Sequence, residues 1–557
     1  MSEFKAMPQV PEPYWRGSAQ LKSFPALNEN IETDIAIIGG GITGITAAYL
    51  LLKEGKKVAL IEADKILNGT TGHTTAKISA QHGLIYSKLI EQHGEQKAKL
   101  YYEANSNAIQ FIRNLVNEYN IDCDFSTQDA YVFTESSEYL PKLEDETRAY
   151  EKLGIDGTFV ETTPLSFPVK GAVLMRNQAQ FHPLKYLSFL VDRIVEMGGQ
   201  IYENTTAGDV KKGPPTKVTI KNQNKNEVTS KHVLICSHYP SYNKEGKYFA
   251  RLHQERSYVL AVKTKKEFPG GMYINAEKPV RSLRYTMIDG EKAVLFGGDG
   301  HKTGQDLDTK DYYEELVPYA EKTYGIKEIP YRWSAQDVHT LDGVPYIGHL
   351  TEDYENVYVA TGYAKWGMTN GTNAASLIRD LVIGADNPYA EVFTPRRFNP
   401  NPTIKNFIKD NAEVAMHFVE GKLDKPNHTL DEVGIDQGRV VTVNGQRAGA
   451  YRDKNGELFL VDTTCTHMKC ELNWNNGDRT WDCPCHGSRF AVNGDVIDGP
   501  AKNPLKKVEF KQEDTQQNSS STDSADSSRN ERNSKQDFNG DAENQFDISD
   551  HDNPLKP

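Results

Sequence analysis

Six cysteines occur in the 557-residue chain, and four of them fall within a window of 21 residues. They sit in two boxes, Cys465-Thr466-His467-Met468-Lys469-Cys470 and Cys483-Pro484-Cys485-His486-Gly487-Ser488. That clustering is the spacing of a metal site and not of a secreted disulfide framework. Each box supplies thiolate and imidazole donors. Two thiolates on one iron and two neutral imidazoles on the other would meet the mixed ligation of a [2Fe–2S] centre. The rival reading is zinc, because four Cys and two His also contain a closed tetrahedral set. The fixed order Cys-Thr-His and Cys-Pro-Cys-His-Gly-Ser is more specific than generic zinc spacing and favours iron.

A second constellation lies near the N-terminus. Asp34–Ile38 is an apolar run of strand length, followed at once by Gly39-Gly40-Gly41-Ile42-Thr43-Gly44 and a helix-like segment over Ile45–Glu54. This is GxGxxG in the setting that gives it meaning. Gly39 permits the turn, Gly41 lets the backbone approach a pyrophosphate, and Gly44 allows close helix–strand packing, with Ile42 and Thr43 opening the helix whose N-terminus holds the phosphates. The next strand, Lys57–Ile61, ends in Glu62, 23 residues after Gly39, where a ribose-binding carboxylate belongs. The small, hydroxyl-rich loop Gly69-Thr70-Thr71-Gly72-His73-Thr74-Thr75-Ala76-Lys77 suits an extended FAD better than NAD.

With these pieces the chain resembles the D-amino-acid oxidase-like family of FAD-dependent oxidoreductases, which includes sarcosine oxidase and dimethylglycine dehydrogenase. The resemblance runs in pieces from about Asp34 to about Leu381. It includes Phe181-His182-Pro183-Leu184, His232–Ser237, Asp342–Gly348, Asn356–Gly362 and Gly367-Met368-Thr369-Asn370-Gly371. It implies a flavin ring beside Gly362, Gly367, Met368 and Thr369, at the positive end of a helix from about Thr369 to Leu381 that would stabilise an anionic reduced ring. Lys365 would add charge there; its other reading is an ordinary surface lysine. The cysteine that attaches flavin in sarcosine oxidases aligns near Ala335, which excludes a cysteinyl flavin. The histidine stretch of dimethylglycine dehydrogenase superposes on Gly69–His73, so His73 is either a histidyl attachment point or a hydrogen-bond donor in the loop.

The two metal boxes resemble those of the Rieske proteins of cytochrome bc complexes. That resemblance implies Cys465, His467, Cys483 and His486 as ligands, and Cys470 with Cys485 as a disulfide bracing the two loops. Asp498-Gly499-Pro500-Ala501 is similar to the proline loop over the cluster, and Ser488 matches the serine that hydrogen-bonds a bridging sulfide. Phe490 stands where high-potential members carry tyrosine, which implies a lower potential. The flanking Gly434–Val461 reads as short strands with turns at Val443-Asn444-Gly445 and Asp453–Gly456.

These sites need positioning elements. The expected architecture is an α/β Rossmann-like FAD-binding domain with an antiparallel-sheet substrate subdomain, plus an all-β Rieske domain. The FAD-dependent module would span 1–393, with FAD-binding pieces at about 31–86, 175–240 and 331–385, and substrate pieces at about 87–174 and 241–330. Ser87–Arg148 shows helical periodicity. Strands over Tyr258–Val262, Arg284–Thr286 and Ala293–Phe296 offer Arg284, Tyr285 and Tyr258 as substrate contacts, since a guanidinium can clamp a carboxylate. Gly298–Gly304 looks like a second nucleotide loop, but no strand ending in an acid follows, so a charged turn is expected and a pyridine-nucleotide reductase is disfavoured. The proline-rich 394–415 reads as a stiff linker, 416–511 as the Rieske unit and 512–557 as a disordered acidic tail.

That tail carries 11 acidic and 4 basic residues and so supplies -7 of the formal -13. The remaining charge is too small and of the wrong sign for a nucleic-acid partner. No signal-like N-terminus or transmembrane run is seen, so a cytoplasmic location is expected. The chemistry then reads as oxidation of a small-molecule substrate, an amine or amino acid, by FAD, with electrons leaving singly through the cluster to an external one-electron carrier. The alternatives are a reductase running the current backwards and a non-catalytic redox sensor. No catalytic base can be named from the sequence.

Overall fold

The computed structural model describes residues 7–509 except 244, 398, 399 and 425. The acidic tail lies outside the described residues.

One sheet carries the glycine motif. Its strands run in the order Tyr346–His349, Val357–Thr361, Glu227–Ile235, Ile31–Ile38, Val58–Ile61, Gln200–Tyr202. The inner pairings are parallel, and the Tyr346–His349 edge is antiparallel. Ile35, Ala36, Ile37 and the whole of Val58–Ile61 are buried, the continuous apolar signature of a parallel strand covered on both faces. The helices Ile42–Lys53, Pro183–Glu196 and Gly367–Ile383 add buried apolar side chains to this core.

The second sheet has nine strands: eight ordered from Ile326–Thr340 through Leu252–Thr264, Glu291–Lys302, Arg281–Ile288, Met272–Asn275, Ser126–Thr134 and Gly171–Gln180 to Lys77–Ile78, and a ninth, Gly157–Val160, that pairs with Gly171–Gln180 beside this path. All its pairings are antiparallel except that of Met272–Asn275 with Ser126–Thr134. Three sequence expectations differ here. Ser126–Thr134 is a strand inside the stretch read as helical. Its burial is confined to its last five residues, so it shows no clean period-2 alternation. The segment taken for a charged turn at Gly298–Gly304 is mostly the end of the strand Glu291–Lys302. A Cβ at Gly298 would lie 2.1 Å from the Val280 carbonyl, and one at Gly300 2.3 Å from that of Arg256, so these glycines serve close strand approach. The boundary placed near 331 falls inside Ile326–Thr340, which belongs to this sheet along its length.

C-terminal to these lie a three-stranded sheet, Gln437–Val443, Gln446–Arg452 and Leu458–Val461, and a four-stranded one, Asn473–Asn475, Thr480–Asp482, Arg489–Phe490 and Val496–Asp498, all antiparallel. The turn at Asn444-Gly445 has both residues at positive φ, 50° and 75°, as a two-residue hairpin requires. The stretch read as a linker is largely the helix Pro400–Leu423. Pro400 and Pro402 fall in its first turn, where a missing N–H costs nothing, so they start a helix here and do not prevent one. Among the described residues no helix is long and apolar enough to cross a membrane.

Candidate functional site

A cavity of about 760 Å³ opens at the carboxyl end of the parallel sheet and runs between the two large sheets. Gly39 has φ 109°, and a Cβ there would sit 2.5 Å from the Cys236 carbonyl; at Gly44 it would sit 2.0 Å from the Gly39 carbonyl. Neither position accepts a side chain, and the bare backbone is left facing the cavity at Gly39, Gly41, Ile42 and Thr43. The Ile42 N–H donates to Thr71 Oγ1 (3.1 Å), tying the hydroxyl-rich loop to the helix start. Glu62 accepts from the Gly40 N–H (2.7 Å) and the Asp64 N–H (3.1 Å) at the cavity edge, and burial raises its carboxyl pKa.

The loop Thr70–His73 is a tight turn whose Thr70 Oγ1 donates to the Gln336 carbonyl (3.1 Å). Trp15 and Trp333 fix it further, their indole N–H groups donating to the carbonyls of Thr74 (2.7 Å) and His73 (2.8 Å). His73 Nδ1 lies 2.9 Å from the Gly69 carbonyl, so Nδ1 carries the proton and Nε2 the lone pair. Burial pushes the His73 pKa down to about 4, which keeps the ring neutral. Thr70, Thr71, His73 and Thr74 all line the cavity.

Gly367 and Met368 bring the N-terminus of Gly367–Ile383 to the opposite end. Lys365 Nζ binds Asp337 Oδ2 at 2.8 Å and Ser257 Oγ. Burial opposes its charge, but Asp337 and Glu255 outweigh that and raise its pKa, so Lys365 is a fixed cation in the wall.

Five residues assigned to the site from sequence stand away from the cavity. Gly44 packs against the Gly39 carbonyl, and Gly362, at φ 79°, against Thr340. Thr369 Oγ1 donates to the Ser79 carbonyl (3.0 Å). Arg284 is 1% exposed; its Nη1 donates to the Ala76 carbonyl (2.9 Å), and its guanidinium lies 5.3 Å from the Trp15 ring. It braces the loop and does not line the cavity. Tyr285, on the other face of that strand, packs against Phe268 and Lys292. Tyr258 does reach the cavity wall, yet its hydroxyl bonds His301 Nε2 (2.9 Å) and its ring stacks on Tyr312 (5.1 Å). Sequence reasoning missed Lys77. It lines the cavity, its Nζ has only the Tyr273 carbonyl (3.3 Å) and Ser282 Oγ as acceptors among the described groups, and burial pushes its pKa down to about 7. In the sequence it stands only as the last residue of the hydroxyl-rich loop.

The cysteine and histidine boxes converge on one point. Cys470 and Cys485 form a disulfide, and the sulfurs of Cys470, Cys483 and Cys485 lie within 4.8 Å of one another. Cys465 and Cys483 are free, buried thiols in contact with each other. The His467 and His486 rings are perpendicular, with centroids 5.1 Å apart. Both Nδ1 atoms are buried without a hydrogen-bond partner. Two orphaned imidazole nitrogens beside two free thiols are what a mixed-ligand iron pair would satisfy, so the donor set fits. The Cys483 thiol bonds the Cys465 sulfur, and with the N–H groups of His467 and Met468 and the Ser488 hydroxyl it outweighs burial and favours the Cys465 thiolate. Ser488 Oγ also accepts the Ala501 N–H (3.0 Å), which closes the proline loop over the site. Phe490 is fully buried beneath it. The same loop, Asp498–Ala501, forms part of the wall of the large cavity.

A family model described as FAD dependent oxidoreductase matches residues 34–381, and one described as Rieske [2Fe-2S] domain matches 427–509. The Bacillus subtilis (strain 168) protein YhfW, named for a Rieske 2Fe-2S iron-sulfur centre, is 50% identical over 502 residues, covering 90% of this chain and 98% of its own. The gamma-glutamylputrescine oxidoreductase of Escherichia coli (strain K12) is 26% identical over 387 residues, 67% of this chain and 88% of its own. The crystal structure of glycine oxidase from Geobacillus kaustophilus superposes with a TM-score of 0.57 at 17% identity, covering 66% of this chain and 100% of that one. The glycine cradle, the converging thiolate and imidazole boxes and these matches establish the chain as a member of the FAD-dependent oxidoreductase family, an enzyme that joins an FAD-binding module to a C-terminal Rieske [2Fe–2S] domain.

Proposed function

We propose that this enzyme oxidises a small amine or amino acid and passes the electrons singly, through its iron–sulfur site, to an external one-electron carrier. FAD supplies a two-electron acceptor able to release electrons one at a time, and the [2Fe–2S] cluster supplies a one-electron store. The observation that carries the reading is the shared cavity, whose wall includes both the glycine cradle and the proline loop of the Rieske domain.

In this reading the backbone at Gly39–Thr43 holds the pyrophosphate, Glu62 the ribose, and Thr70, Thr71, His73 and Thr74 shape the middle of the cofactor channel. The N-terminus of Gly367–Ile383 favours negative charge at its end of the cavity, where Lys365 is paired with Asp337. Cys465, His467, Cys483 and His486 would hold the cluster, offering it two thiolates and two imidazole nitrogens. Lys77, a buried amine poised near neutrality, suits the removal of a proton from a substrate ammonium before hydride transfer. The substrate class is supported by the relatives, two of which are named for gamma-glutamylputrescine and glycine.

The test is anaerobic incubation of the loaded enzyme with a panel of N-methyl amino acids, primary amino acids and polyamine derivatives. Bleaching of the flavin band followed by reduction of the cluster supports the proposal. Inertness to the whole panel, or a pre-reduced enzyme that is reoxidised by an imine, overturns it.

A further inference from the structure

The strands Leu252–Thr264 and Ile326–Thr340 lie side by side as the partition between the cavity and the Rieske unit, and their side chains alternate across it. Ser257 and Asp337 turn toward Lys365. Gln254 and Gln336 turn the other way. Gln254 Nε2 donates to the His486 carbonyl (2.7 Å) and reaches that of Gly499 (3.4 Å). Gln336 Nε2 donates to the Gly487 carbonyl (3.0 Å) and to Gln254 Oε1. The two side chains are 4% and 2% exposed. Gly487, at φ 68°, has no side chain to hold the loop away; a Cβ there would lie 2.8 Å from Gln254.

On the cavity side the Gln336 carbonyl accepts from Thr70 Oγ1 (3.1 Å) and His238 Nε2 (2.9 Å), both cavity-lining residues. A hydrogen-bonded chain therefore leads from the cavity wall to the loop of His486 through a single residue.

We infer that Gln254 and Gln336 form the electron-transfer contact of this enzyme, clamping the His486 loop to the cavity wall so that the two cofactors exchange electrons while the Rieske unit stays docked. The inference rests on the proposed function. Each passage oxidises one cofactor by one electron and reduces the other by one. No proton crosses the contact, because neither amide titrates at physiological pH.

The test uses the holoenzyme under anaerobic conditions. A laser flash on 5-deazariboflavin with EDTA injects one electron, and its redistribution is followed at the flavin and cluster bands in wild type, Gln336→Leu and Gln254→Leu. The second readout is hydrogen–deuterium exchange of the amides at 483–488, and the third is the EPR spectrum of the reduced cluster. The expected result is that both variants keep FAD and iron, that redistribution slows about tenfold, the loss in docked population expected from breaking two or three buried hydrogen bonds, and that the 483–488 amides exchange faster with altered EPR g-values. Redistribution at the wild-type rate in cofactor-replete variants overturns the inference. Absence of redistribution in the wild type overturns the proposed function itself. Should the leucine variants lose the cluster, Gln336→Asn, one methylene shorter and still polar, is read by the same outcomes.

Discussion

Asp478 ties the Rieske domain to the substrate sheet. Its carboxylate accepts from Arg256 Nη2 (2.8 Å), Arg489 Nη2 (3.2 Å), Ser334 Oγ (2.5 Å) and Tyr313 Oη (3.0 Å). The side chains of Arg256 and Asp478 are 2% and 5% exposed. Arg489 has a second acid, Asp482 (3.2 Å). Arg256 has no second ion pair among the described residues, Asp482 acting on it only at longer range, and its Nε and Nη1 find no hydrogen-bond partner. Asp478→Asn therefore leaves one buried guanidinium without a counter-charge, a change that costs about 3–5 kcal/mol. Arg256→Met in the same chain removes the orphan, and the double variant should recover most of that loss. Urea unfolding followed by the visible circular dichroism of the cluster gives the four free energies of the cycle. A cost below about 1 kcal/mol for Asp478→Asn, or no recovery in the double variant, contradicts this account of the interface.

The pair also fixes an acid limb. Burial by itself would raise the Asp478 pKa, but Arg256 and Arg489 outweigh it and hold the carboxyl well below the usual carboxylate range. The unfolded chain then binds the proton first. The stabilisation is full above the unfolded pKa of about 3.9 and is lost as pH falls toward the folded value, a loss that Asp478→Asn should abolish.

Other consequences are as direct. His467→Ala should abolish acid-labile sulfide and at least one iron while FAD remains bound, measured by iron and flavin content per chain; retention of a full cluster removes His467 from the ligand set. Gly44→Ala places a Cβ 2.0 Å from the Gly39 carbonyl, so the turn must shift; FAD binding should be lost with a destabilisation of about 1–3 kcal/mol, checked by flavin titration and thermal melts. Lys77 has a folded pKa of about 7, below its unfolded value, so between these the unfolded chain holds the extra proton and stability rises with pH. Relative to Lys77→Met, wild type should gain stability from about pH 7 to about pH 10 and then level off; parallel pH profiles of the two proteins contradict the assignment.

The glycine cradle and the candidate cluster ligands could be named from the sequence because their requirements are local or chemical. Gly39 is constrained by the turn it sits in, and iron demands thiolates and imidazoles wherever the chain supplies them. Substrate residues were not legible. Period-2 alternation places Arg284 and Tyr285 on opposite faces of one strand, but in a sheet covered on both sides it cannot say which face meets a cavity, and neither does. The same ambiguity hid Gln254 and Gln336, which read as ordinary polar strand residues until another domain is docked on them. Pro400 and Pro402 suggested a stiff linker, since only position relative to a helix start separates a breaker from a first-turn residue. The sequence by itself determined which cofactors the chain can hold, as each cradle is encoded in a few residues. Only the tertiary structure decided that the two cradles share a wall, because contacts between residues some 150 to 230 positions apart leave no local pattern to read.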